Sequence, residues 1–405
     1  MKRLLHIFYL LFFLLTVVVT AQAQRKEISQ ARQWIKHGTN LNQAENSMSN
    51  LLKDSTNRNN KRIWITLFEA VKKQYEQGNE KLYLKQKYDT AKLFSLGKKM
   101  FDVLQAFDSI DATPNKRGVI KIEYRDEHSQ FLNQIRPNLF NGGAYFMLKH
   151  KYQEAYNMYD AYINCAYQPL FKKYDYMKCD KLIPEASYWA AFNAYKLKNH
   201  QATLKHTPLA LKDMTHYVYM LQYLAQTYKE MNDTTLYLKT LEKGFSSQPE
   251  FPFFFPRLVD YYVQNHRFDQ ALHVINQALS VDSTNQIYRF AKSTVLLNTG
   301  QYDECIEICD GLIAENDSMM EPYLNAGLAY FNQAVILDKE TQVTRQHRQM
   351  ILNDYRKALP YLERYRQLAP DMKDRWSLPL YTIYLNLNMG KEFDEIDKII
   401  NAKKG

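Results

Sequence analysis

Four cysteines and ten histidines hold most of the reactive chemistry open to this 405-residue chain. Cys305 and Cys309 stand four apart, so a helix would place both on one face with Cα atoms about 6 Å apart, where the geometry is poor for a bridge. A tetrahedral zinc site needs two more ligands at close spacing, and none is there. Cys165 and Cys179 flank an irregular stretch; a disulfide and a pair of unbridged thiols both remain open for them, with buried thiols the plainer reading. The histidines are scattered, and His200 and His206 lack an acid at ligand spacing. Glu123, Asp126, Glu127 and His128 form the densest polar cluster, but on a helix they spread around the axis and make a solvated face. The chain contains no G-x-S-x-G, H-E-x-x-H, phosphate-loop or dinucleotide signature. Gly142-Gly143 reads as a close approach of helices. The expectation is therefore no enzyme, no metal and no cofactor, with recognition as the chemistry to look for.

The elements that would carry recognition are helices. Hydrophobic residues make up 46% of the chain, enough for a large core, while Gly and Pro number only 12 each. Few helix breakers over such a length imply a mostly helical chain. Tyr (31) and Phe (21) are abundant and suit the space between paired helices.

A period of 34 organises the second half. Ala225, Val259, Ser293 and Gly327 form one column at that step, and Tyr228, Tyr262, Leu296 and Tyr330 another. Leu241, Ile275 and Cys309, then Gly244, Ala278 and Leu312, and finally Pro249, Ser283 and Asp317 keep the same step. Small residues mark where two helices cross closely, and large apolar ones fill the space beside them. A hairpin of two such helices cannot bury its apolar face alone, and stacking the hairpins solves this.

The period and the column types resemble tetratricopeptide (TPR) repeats. Arg267-Phe268-Asp269-Gln270-Ala271-Leu272 with Ala278-Leu279 is similar to the second helix of such a repeat. Gly300-Gln301-Tyr302-Asp303-Glu304 is similar to the turn before it, and Asn325-Ala326-Gly327-Leu328-Ala329-Tyr330 to the first helix. Lys151-Tyr152-Gln153-Glu154-Ala155 matches as well. In place of the family's usual first-helix Trp stand Leu221, Phe255, Arg289 and Tyr323. The resemblance implies an all-α solenoid of stacked helical hairpins, coiled as a right-handed superhelix, over residues 138–401. Two interruptions are expected: a loop from Gln168 to Pro184, and a lengthened hairpin at about 319–370.

Residues 24–137 read as an irregular helical region. Leu84, Tyr88, Ala91, Phe94, Phe101, Leu104 and Phe107 recur at three, four or seven residues and predict one long amphipathic helix over about 80–110. Lysines flank that stripe, so a helix lying on a membrane is the alternative to core packing. Trp34 and Trp64 are expected inside degenerate hairpins. Ahead of this region, Lys2-Arg3, the apolar run Leu4–Val19 and Ala21-Gln22-Ala23 have the order of a secretory signal, with cleavage expected after Ala23. The predicted product is exported and periplasmic. No Cys lies near the cut, which argues against a lipoprotein.

The formal net charge is +10, or +8 without Lys2 and Arg3. Residues 24–121 hold 19 Lys/Arg and 10 Asp/Glu, a balance of +9, so the remainder is near −1. Export makes nucleic acid an unexpected partner despite this charge. The resemblance instead implies protein or peptide partners held on a groove formed by the first helices. By register that groove would include Tyr219, Gln222, Gln226, Phe253, Arg257, Asp260 and Asn325. The Lys and Asn clamp with which some members hold a terminal carboxylate is not matched here. A periplasmic interaction scaffold is the leading expectation. The alternative is binding to an anionic lipid or glycan surface of the envelope through the basic N-terminal third. A glycan-binding accessory role at the outer membrane is a third reading, weakened by the missing lipidation cysteine.

Overall fold

The computed structural model describes residues 24–114, 117–339 and 344–401; the expected leader, residues 1–23, lies outside them. Among the described residues there are helices and turns and no strand. Packing divides the chain into two compact units, the first ending at Asn232 and the second starting at Asp233. In the first unit the helices are α1 (24–37), α2 (Leu41–Leu51), α3 (Lys61–Tyr83), α4 (Thr90–Asp111), α5 (Arg125–Ile135), α6 (Pro137–Leu148), α7 (Tyr152–Asn164), α8 (Tyr176–Cys179), α9 (Ile183–Lys196), α10 (His200–Lys205), α11 (Thr207–Ala210) and α12 (Tyr217–Glu230). In the second they are α13 (Thr234–Ser247), α14 (Phe254–Gln264), α15 (Phe268–Val281), α16 (Gln286–Asn298), α17 (Tyr302–Glu315), α18 (Met320–Asp338), α19 (Arg345–Leu368), α20 (Lys373–Asn386) and α21 (Gly390–Asn401).

Within each unit, helices consecutive in the chain pack mostly as antiparallel neighbours, the TPR-like arrangement of an all-α hairpin array. The period is visible in the backbone: α13, α15 and α17 start at Thr234, Phe268 and Tyr302 and end at Ser247, Val281 and Glu315, each 34 after the last. The turns repeat too. Asn232, His266 and Gly300 occupy one column with φ of 59°, 54° and 78°. At Gly300 this left-handed turn costs nothing sterically. The backbone bonds Gln301 N to Leu296 O (2.9 Å) and Arg267 N to Tyr262 O (2.8 Å) close these helix ends.

At several glycines a side chain of a neighbouring helix packs directly on the backbone. A Cβ added at Gly244 would sit 2.2 Å from the ring of Phe254, which is fully buried. One at Gly327 would lie 2.7 Å from Leu362, and one at Gly143 2.6 Å from the Tyr159 ring. Ala271, Ile275, Ala278, Cys309 and Leu312 are wholly buried in the same interfaces. The longest hairpin of the second unit pairs α18, of 19 residues, with α19, of 24. Tyr355, Leu362 and Tyr365 seal it.

Two elements depart from the sequence expectation. The stripe over 80–110 is not one helix. The chain turns at Lys85, whose φ is 57°, and α4 restarts at Thr90, where the Asp89 carboxylate accepts the N–H groups of Ala91 and Lys92. Leu84 and Tyr88 kept the helical spacing across that turn, which hid it. The stripe packs inward, since Phe101, Leu104 and Phe107 are each 1% exposed. The stretch after Cys165 is also more ordered than a loop. It makes two 3₁₀ turns, Cys165–Tyr167 and Pro169–Tyr174, and then α8.

The buried side chain of Arg136 holds that stretch in place. Its guanidinium lies between the rings of Tyr162 and Tyr176, at 3.7 and 3.8 Å from their centroids. Its Nη1 donates to Asp180 Oδ2 (2.6 Å) and its Nη2 to the Tyr162 carbonyl (3.1 Å), while the Tyr162 hydroxyl donates to the same Asp180 oxygen (2.7 Å). The stretch therefore adds Leu170, Phe171 and Tyr176 to the core, while its lysines stay exposed. All four cysteines are free; Cys165 is buried and Cys179 exposed, so they do not pair.

Gly244→Ala should destabilise the protein by about 1–2 kcal/mol through overpacking, in spite of the helix propensity that Ala adds. Gly390→Ala, where nothing lies within 4 Å, should be neutral or slightly stabilising. Urea midpoints of the two variants check this, and equal midpoints would refute the close approach.

Candidate binding surface

The expected groove residues lie on or beside three helices, α12, α14 and α18. Tyr219, Gln222 and Gln226 lie three and four apart on one stripe of α12, in the first unit. Tyr219 is 47% exposed, and Gln226 donates to Glu230 (3.1 Å), whose other oxygen meets His200 Nε2 at 2.8 Å. Those two hydrogen bonds, Gln226 first, hold the Glu230 carboxyl below its ordinary range. In the second unit, Arg257 folds back over the Phe253 ring (3.9 Å) and donates to the Phe253 carbonyl (2.9 Å), beside the exposed Asp260 on α14. Asn325 does not face outward. It is 6% exposed and donates to Ser293 Oγ (3.1 Å) and Thr294 Oγ1 (3.0 Å), tying α18 to α16. Its register marked it as inner-facing, but Ser and Thr on the neighbouring helix claim its amide.

The α12 stripe belongs to a larger aromatic face that the register argument did not name. On α9, Trp189, Phe192 and Tyr195 follow each other at three residues and are all half-buried. Tyr223 of α12 stacks on Tyr195 at 4.8 Å and lies 5.7 Å from Phe192. Beneath them Tyr188, 3% exposed, stacks on His216 at 4.2 Å and on Tyr223 at 6.1 Å. Burial, then Tyr223, pushes the Tyr188 hydroxyl well above its usual range, and burial raises those of Tyr195 and Tyr223. All three are therefore neutral at physiological pH and available for hydrogen bonding. Glu185 accepts from Trp189 Nε1 at 3.2 Å and fixes the indole. The outcome is a rigid set of rings with a polar edge of amides, which can take up apolar side chains and hydrogen-bond a backbone. The sequence signal was the Tyr-Trp-x-x-Phe-x-x-Tyr spacing in 188–195, which by itself does not separate core from face.

Behind this face, α7 is tied to the α10–α11 turn through Asp160. His206 Nε2 and Lys205 Nζ each lie 2.6 Å from its Oδ1, and Asn164 donates to Oδ2 (2.8 Å). Burial works to raise this carboxyl, but His206 and Lys205 outweigh it and hold it low. Among the described residues no cluster of His, Cys, Asp or Glu could hold a metal, and no helix is long and apolar enough to cross a membrane.

No protein-family model matches the chain, and no curated protein matches it. Solved structures with similar helix pairs are repeat proteins. The C-terminal part of a TPR repeat-containing protein from Cytophaga hutchinsonii is 12% identical, covers 65% of this chain and 94% of its own, with a TM-score of 0.43. A TPR protein from Parabacteroides merdae is 16% identical over 67% of this chain and 99% of its own, with a TM-score of 0.37. YrrB, described as a TPR protein with an unusual peptide-binding site, is 14% identical over 62% and 94%, with a TM-score of 0.26. Those likenesses are loose, and the TPR-like character of the chain rests on its own helix pairs and their 34-residue step.

The Asp160 carboxyl titrates lower in the folded chain than when unfolded. Its contribution to stability is therefore complete above the unfolded value, about 3.9, and is lost as pH falls through the lower folded value. Asp160→Asn should cost about 2 kcal/mol at neutral pH and make melting less steeply dependent on pH in the acid range. Thermal melts of the two proteins between neutral and acid pH test this; parallel curves would contradict it.

Proposed function

We propose that this chain is an exported interaction scaffold that captures a protein partner on the aromatic face of α9 and α12. The observation that carries the reading is the set of half-exposed rings of Trp189, Phe192, Tyr195 and Tyr223 beside the amides of Gln222 and Gln226. Burial of large aromatics with hydrogen-bonding edges is how interfaces concentrate their energy. An extended segment with spaced apolar side chains fits such a face, its backbone reading the amides and its side chains the rings. Stacked hairpins add rigidity, so little ordering cost falls on the scaffold at binding. The leader-like residues 1–23 support placement in the periplasm, with cleavage after Ala23.

A photo-crosslinking residue placed at Tyr219 in the native host should yield discrete protein adducts, while the same residue at Gln153, exposed on α7, should not. Trp189→Ala with Tyr223→Ala should weaken the captured complex by about tenfold or more. Identical adducts from both positions, or adducts unchanged in the double variant, would remove this face from the function.

A further inference from the structure

Part of the charge of the basic third is paired within the fold. Lys61 pairs with Asp111, Lys98 with Asp102, and Lys99 with Glu45. One cleft brings two lysines without such a partner together. It is a cavity of about 480 Å³ between the start of α2, the end of α3 and the start of α4, and no carboxylate lines it. Lys81 and Lys92 stand at its rim, both exposed, and among the described residues neither is ion-paired with a carboxylate. Lys81 instead lies 5.9 Å from the ring centroid of Tyr88, which also lines the cleft.

We propose that this cleft binds a phosphate monoester. Its lining is rich in donors. Besides the two lysines it is lined by Asn42 and Gln43, which carry carboxamides, and by Leu41, the first residue of α2. The first N–H groups of a helix have no acceptor within it. Here the Asn40 side chain makes no cap hydrogen bond, and no acid stands in the first turn of α2. The floor is fixed, because Gln77 Nε2 donates to the Gly38 carbonyl at 2.9 Å. Two unneutralised cations beside several neutral donors match a dianion with three terminal oxygens. A carboxylate would satisfy only one of the charges. The volume leaves room for the group that carries the phosphate, and the Tyr88 ring offers it a flat wall. The ester can belong to a lipid headgroup or to a soluble sugar phosphate, and the chemistry of the cleft is the same for both. This site shares no residue with the α9–α12 face, so its failure would leave the scaffold reading intact.

The test uses the purified protein with two probes: glucose 6-phosphate by titration calorimetry, and phosphatidylcholine vesicles with and without phosphatidic acid by co-sedimentation. Lys81→Gln with Lys92→Gln should lose about tenfold or more in affinity with an unchanged melting temperature, since both side chains are exposed. Lys26→Gln with Lys36→Gln, an equal loss of charge in the same third, should bind as the parent does. Binding of both probes, or of either alone, supports the site and identifies the source of its phosphate. Binding of neither probe, or an equal loss in the two double variants, overturns it.

Discussion

The structure depends on side chains that pack directly onto the backbone of glycines in neighbouring helices. Where Phe254 lies over Gly244, Leu362 over Gly327 and Tyr159 over Gly143, a single added methyl group would overlap the neighbour. This contact fixes the crossing of each pair and so the step from one pair to the next. A 34-residue period is the sequence trace of that requirement, since every pair must offer a small residue at the crossing and bulk beside it. No hairpin here has a core of its own. Its buried residues are shared with the pair before and after, as the hydrophobic clusters within each unit attest.

The same constraint produces the candidate surface. Large aromatics fill the spaces between helices, and at α9 and α12 there are more of them than the interior can enclose. Tyr188 goes under, whereas Trp189, Phe192, Tyr195 and Tyr223 stay partly in solvent. Their orientation is set from below by His216 and from the side by Glu185, so the face is preformed. Arg136 solves a related problem in the same unit. With Tyr162, Tyr176 and Asp180 it draws an insertion of short helical turns into the core.

Much of this was legible in the sequence. The columns at Ala225 and Gly244 and their partners gave the helix pairing, because small residues at a crossing have one physical cause. The turn at Lys85 was not legible: it falls between Leu84 and Tyr88, which are themselves four apart, and the cap at Asp89 was overlooked in a strong apolar stripe. The order after Cys165 was missed because it is made by a distant cation, Arg136, whose partners lie 26, 40 and 44 residues away. At the site, register placed Tyr219, Gln222 and Gln226 on one stripe of α12. It misjudged Asn325, since nothing in a period tells whether a neighbouring helix brings a hydroxyl to take up the amide. The aromatic stripe of α9 carried a signal that core and face share.

The central claim is that the hairpins are held by nearest-neighbour contacts at their small-residue crossings. Hydrogen exchange read by mass spectrometry on Gly327→Ala tests it most directly. The account predicts faster exchange in α18 and α19, a smaller change in α17 and α20, and a smaller one still in α15. Uniform acceleration from α13 to α21, or no change in α18 and α19, would contradict it.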